Sequence, residues 1–159
     1  QMQDKLEQMQ NNSEVSMTQE NLDDLRDIVS NLLKLSFDQE DLMNEFGEVK
    51  QSDPRFIELS QEQLKLKDDA KIVEDSLLSL ANRVFVLSSF VTREVGEMNA
   101  HMDKSVEAIR DRKKPLAVAE QQFTMTSMNN LALLLDDVLQ QMQESLADAM
   151  GKPQKGKGQ

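Results

Sequence analysis

Apolar residues recur along most of this chain at alternating intervals of three and four, the spacing that holds a stripe on one face of an α-helix. The first stripe is Leu25, Ile28, Leu32, Leu35, Gln39, Leu42, Phe46 and Val49, with Gln39 its single polar member. The second runs Leu59, Gln63, Leu66, Ala70, Val73, Leu77, Leu80, Val84, Leu87 and Val91, with Gln63 as its polar position. Beyond Val91 the register slips: Val95, Met98, Met102 and Ile109 continue the stripe only across an inserted turn. Such a slip marks either a stutter in one helix or a break between two. We place a break at 87–90, with Ser88 or Ser89 as cap. The last stripe is Met128, Leu131, Leu135, Val138, Met142 and Leu146, widened by Leu134 and Leu139.

Punctuation sets the ends of these stripes. Ser16 and Gln19 have the S-x-x-Q spacing of a capping box, with Thr18 a competing cap, and Glu20, Asp23 and Asp24 follow where a positive helix end favours acids. In Gln51-Ser52-Asp53-Pro54, Asp53 is placed to cap the next helix and Pro54 to occupy its first turn, where a missing N–H costs nothing. Pro115 marks another boundary, and Gly151 and Pro153 end the last helix. Helices are therefore expected over 19–50, 54–86, 90–113 and 115–150. The short connections make successive helices antiparallel, so the fold class is all-α, an up-down-up-down bundle of about four long helices. The alternative is an elongated three-helix coiled-coil rod with one continuous helix over 54–113. Residues 1–18 read as the end of a preceding Gln/Met-rich helix and its connector, 19–150 as the bundle, and 151–159 as a disordered Gly/Lys/Gln linker. The chain thus reads as a piece of a longer protein.

Composition narrows the class further. Hydrophobic residues make up 38%, aromatics are six Phe with no Tyr or Trp, and only five Gly and three Pro occur. Strands want β-branched and aromatic residues and frequent turns, so a β or α/β domain is disfavoured. A net charge of −11 argues against nucleic acid or an anionic membrane as partner. With no cysteine there is no disulfide, thiolate site or Cys nucleophile. The longest apolar run, 84–91, falls far short of the ~20 residues that cross a bilayer, so no membrane insertion by this segment is expected.

Candidate chemistry is sparse. His101 is the only histidine, and Met98 stands where the Glu-x-x-His of a di-iron bundle would place its carboxylate. It reads as a polar surface or seam residue, with Glu97 one turn before it and Asp103 just after. The pairs Asp23-Asp24, Asp68-Asp69, Glu74-Asp75 and Asp136-Asp137 read as solvated helix faces, many within reach of a Lys or Arg one turn away. Arg110, Arg112, Lys113 and Lys114 form a basic patch; the local role, complementing the negative end of the helix before Pro115, competes with contact to an acidic partner. Of the ten Met, those on stripes read as core, and Met43 and Met125 as surface. No phosphate loop or hydrolase motif is present, and neither cofactor nor metal is expected.

Leu35-Ser36-Phe37-Asp38-Gln39-Glu40, Lys67-Asp68-Asp69-Ala70, Glu74-Asp75-Ser76-Leu77 and Met128-Asn129-Asn130-Leu131-Ala132-Leu133-Leu134 carry a resemblance to a known family. The chain resembles the helical coiled-coil segment of large uncharacterised bacterial membrane-anchored proteins, a domain of unknown function, over roughly residues 20–159. The resemblance implies a soluble portion of a membrane-anchored envelope protein; otherwise a cytoplasmic setting is expected. It transfers no catalytic residue.

The expectation is a non-enzymatic scaffold or protein–protein interaction module, with a homodimer as one form. The alternative is a helical sensor whose polar seam positions Gln39, Gln63 and His101 line a small internal ligand site.

Overall fold

A computed structural model describes residues 2–149, with side chains from Gln19 onward; the expected linker at 151–159 lies outside the described residues. Four helices follow one another: α1 (Met2–Glu48), α2 (Arg55–Arg83), α3 (Phe85–Arg110) and α4 (Lys114–Ala149). They form an all-α bundle in which α1 touches α2 and α4, and α3 touches the same two, so the helices stand in a ring. Cross-helix pairs give the directions. Gln39 meets Gln63, Gln63 meets Met102, His101 meets Glu120, and Lys114 reaches Val49. Each neighbouring pair is therefore antiparallel.

The stripes explain the core. Every residue of the first stripe is buried, and so are Leu59, Gln63, Leu66, Ala70, Val73, Leu77 and Leu80 on α2 and Val95, Met98, Met102 and Ile109 on α3. A fully buried Leu or Phe contributes about 1.5–3 kcal/mol by leaving water, so these seams carry the fold. Leu134 is a correction: it stays exposed and does not widen the α4 stripe, whereas Leu139 does.

Two boundaries differ from the sequence expectation. α1 is helical from Met2 without interruption, so the capping box at Ser16 opens no helix. No Gly or Pro precedes Gly47, and Asn, Ser and Thr cost too little in a helix to stop one. The continuous helix over 54–113 is not formed: the chain breaks at Val84, whose φ of −121° and ψ of 101° are extended. The break also precedes Ser88 and Ser89. Their hydroxyls donate to the carbonyls of Phe85 and Val86 inside α3 and cap nothing. By contrast, Asp53 behaves as expected, its Oδ1 accepting the Arg55 N–H at 2.9 Å.

Candidate functional site

About two turns in from the end of the bundle that holds the α1–α2 and α3–α4 connections, each helix contributes one residue to a single layer: Gln39, Gln63, Met102 and Gln121. The three glutamines are 0% exposed. Gln39 Nε2 donates to Gln63 Oε1 at 3.0 Å, and Gln63 Nε2 donates back to Gln39 Oε1 at 3.0 Å, closing an amide pair. Gln121 Nε2 donates to the same Gln63 Oε1 at 3.0 Å. The Gln63 amide also donates to Met102 Sδ at 3.0 Å. Gln63 thus uses both acceptor positions and both N–H groups, the full capacity of a primary amide. Gln121 Oε1 is left without a partner.

The energetics of such a layer lie in specificity. A made hydrogen bond contributes about 0.5–1.5 kcal/mol net, while a buried amide atom left unmade costs about 1–3 kcal/mol. Sliding α1, α2 or α4 by a turn or a heptad breaks amide bonds of the layer and orphans buried polar atoms. The layer therefore disfavours wrong registers more than it stabilises the right one.

The sequence expectation named Gln39 and Gln63, and the structure brings them together. It missed Gln121, although the signal was present: Ala117, Gln121 and Thr124 extend the last stripe backwards at the same spacing, and all three are buried. Thr124 gives its hydroxyl to the Glu120 carbonyl at 2.8 Å and leaves the layer to the amides. His101 does not join. It lies in the groove between α3 and α4, with Nδ1 2.7 Å from Glu120 Oε1 and Nε2 3.7 Å from Glu97 Oε1. Its ring stacks at 5.0 Å on Phe123. The carboxylate accepts, so the Nδ1–H donates. Asp103, beside it in sequence, pairs instead with Lys67 at 2.9 Å.

The basic patch divides. Arg110 sits in the last turn of α3, facing the helix dipole as expected. Lys113 N–H bonds to Ala108 O, and Arg112 N–H to Ile109 O, the two bonds of a Schellman cap, with Arg112 at φ 57° where Gly is usual. Arg112 is held there from outside its own hairpin. Its guanidinium donates to Gln51 O at 2.7 Å, Gln51 Nε2 donates to Arg112 O at 2.6 Å, and Cζ stands 4.8 Å from the Phe56 ring centroid. Lys114 donates to Val49 O at 2.8 Å, serving the end of α1, which has no basic residue in its last turn.

A cleft of about 320 Å³ opens between α1 and α2 over Leu42 and Leu66, rimmed by Asp38, Asp41, Glu45, Glu62 and Asp69. Lys65 on its edge is paired with Asp69 at 3.2 Å. On α1 the Lys34 ammonium, hydrogen-bonded to Asp38 at 3.0 Å, is held above its ordinary pKa by that bond and charge. Among the described residues no group of three or more His, Cys, Asp or Glu is arranged to hold a metal ion, and no helix is long and apolar enough to cross a membrane.

A scan against protein-family models, a search of curated proteins and a search of solved structures each gave no match to this chain.

Proposed function

We propose that the chain is a non-catalytic helical scaffold and protein–protein interaction module. The observation that carries this reading is the glutamine layer: three fully buried amides bond to one another across three helices and so specify one arrangement of rods. The apolar seams are spent on joining the four helices, and the outward faces keep Phe37, Ile72, Phe85 and Leu133 largely exposed for contacts. An envelope-associated, membrane-anchored parent is part of the proposal and rests on the sequence resemblance alone. Crosslinking pull-down of the parent from its native cell tests the reading, a stoichiometric protein partner being the expected result. Turnover of a small molecule by the purified chain would sink it.

One atom favours a second reading, a ligand-sensing bundle. Gln121 Oε1 is buried without a donor, a place where a small molecule bearing an N–H or O–H gains a hydrogen bond. Thermal-shift screening separates the two. A saturable rise in melting temperature that Gln121→Leu abolishes supports the sensor, and a flat response across metabolites and metals supports the scaffold.

A further inference from the structure

The outer groove between α3 and α4 changes character along its length. Near its middle, His101 Nδ1 is 2.7 Å from Glu120 Oε1 across the groove and Nε2 is 3.7 Å from Glu97 Oε1 on its own helix. The imidazole also lies 5.0 Å from the ring of Phe123, which is half-exposed. One imidazole thus serves two carboxylates, so the cluster stays negative whether the ring is neutral or protonated. Among the described residues neither Glu97 nor Glu120 has a Lys or Arg within 4 Å, and Arg93 on α3 is paired with Glu94 at 3.3 Å. Eleven residues carry a helix through almost three whole turns, so Phe90 shares the flank of His101, and Leu134 that of Phe123. Because α3 and α4 are antiparallel, both displacements run toward the Val84 tip. There Val86, one turn before Phe90, is 47% exposed, Leu134 is 41% exposed and Phe90 is half-buried. The groove therefore holds an acidic, aromatic-walled notch and an apolar seat roughly 16 Å from it by the rise of an α-helix.

We infer that this groove docks a helix of another, basic protein, seated by one arginine in the notch and by apolar side chains three turns away at the tip. The inference rests on the interaction-module reading above and gives the partner its chemistry. A furrow between two antiparallel helices takes a third rod, whose anchors lie on one face at whole turns. Arginine suits the notch better than lysine. Its planar fork gives an N–H edge to each of two carboxylates, its face stacks on an aromatic ring, and it stays charged. An arginine held this way beside packed apolar contacts concentrates the binding energy of an interface. A second copy fits less well, because it would bring its own net charge of −11 to an acidic groove. The same field draws a basic helix in.

The test titrates a synthetic helical peptide into the full chain and follows amide NMR shifts. The peptide has about 18 residues on an alanine–glutamine background, with one arginine, a leucine eleven positions away and a second leucine one turn beyond. Saturable binding is expected below about 1 mM, with shifts along 86–101 and 120–134. Replacing the peptide's arginine by glutamine should weaken binding by about tenfold. Glu97→Gln combined with Glu120→Gln in the chain should abolish that preference, and Leu134→Asp should weaken both peptides, each with unchanged helical circular dichroism. No saturable binding, equal affinity for the two peptides, or shifts centred on the acidic cleft between α1 and α2 overturns the inference. So does a dimer of the chain alone that Leu134→Asp dissolves, since a second copy then occupies the groove. In each of these cases a protein crosslinked to the parent in its native cell leaves the interaction module standing; turnover of a substrate removes the module.

Discussion

At the end of the bundle where the α1–α2 and α3–α4 connections meet, the two hairpins are tied by side chains that cross between them. Arg112 and Gln51 exchange hydrogen bonds at 2.7 and 2.6 Å, Arg112 covers Phe56, and Phe56 packs on Phe46 at 4.8 Å. At the opposite end α2 and α3 are joined by one extended residue with no side-chain cap, and the aromatic ring next to it, Phe85, faces solvent. The closed end pairs the hairpins with each other, which a bundle needs for one topology. The open end leaves apolar surface free, which an interaction module needs for a partner. Under the proposed reading, stability and docking are separated along one long axis.

The largest expected break in that comparison is Phe46→Ala. Phe46 is fully buried, so truncation should cost about 3–5 kcal/mol. Phe85→Ala, read on the monomer, should stay within about 0.5 kcal/mol. Urea unfolding followed by circular dichroism measures both, and near-equal losses would erase the distinction between the ends.

Next comes the layer between them. Gln63→Ala removes the hub of the amide network and strands Gln39 and Gln121 in the interior, at about 2–4 kcal/mol. Replacing Gln39, Gln63 and Gln121 together by Leu should leave the melting temperature level or raised, because no polar atom is then orphaned. The same triple variant should lose its single register, seen as line broadening or doubling in amide NMR spectra. Sharp, single resonances in a stable triple variant would show that the seams alone set the register.

How much of this was legible follows from which residues carry a local signal. Spacing of apolar residues is a backbone property, so the stripes, the all-α class and the up-down order were readable, as was the stop at Asp53-Pro54. Gln39 and Gln63 stood out because each interrupts a long leucine stripe. Gln121 lies between short side chains, Ala117 and Thr124, so the stripe continues through it at the right spacing but with little apolar weight to mark it. The break at Val84 carries no mark either. A β-branched residue tolerates the extended conformation there, but it sits equally on the unbroken stripe, and only the packing of α3 back against α2 decides. Arg112 misled for a related reason. Its charge suits the end of α3, yet its role is set by Gln51 and Phe56, far away in sequence.

That role predicts a smaller effect. Arg112→Gly removes the left-handed strain of about 1–2 kcal/mol but also the guanidinium's bond to Gln51 O and its cover of Phe56, so the two effects should nearly offset, within about 1 kcal/mol. Gln51→Ala removes the other bond of the exchange, from its Nε2 to Arg112 O, and should cost about 0.5–1.5 kcal/mol, adding to the effect at Arg112. No loss from Gln51→Ala would mean that the hairpins are joined by apolar packing alone.

The smallest effect should come from lengthening the open end. Two glycines inserted after Val84 add a few residues to a link that holds no side-chain hydrogen bond, and chain closure makes such an insertion cost on the order of 0.6 kcal/mol. The Val84 N–H already bonds back to Leu80 O and belongs to α2, so the insertion leaves it in place. The same two glycines placed after Gln51 would part that residue from the Asp53 turn and strain its exchange with Arg112, so the cost there should exceed about 1 kcal/mol, the scale of a lost hydrogen bond. Equal costs at the two places would mean that the one-residue link is itself a packed joint. The tip could not then be treated as surface left free for a partner.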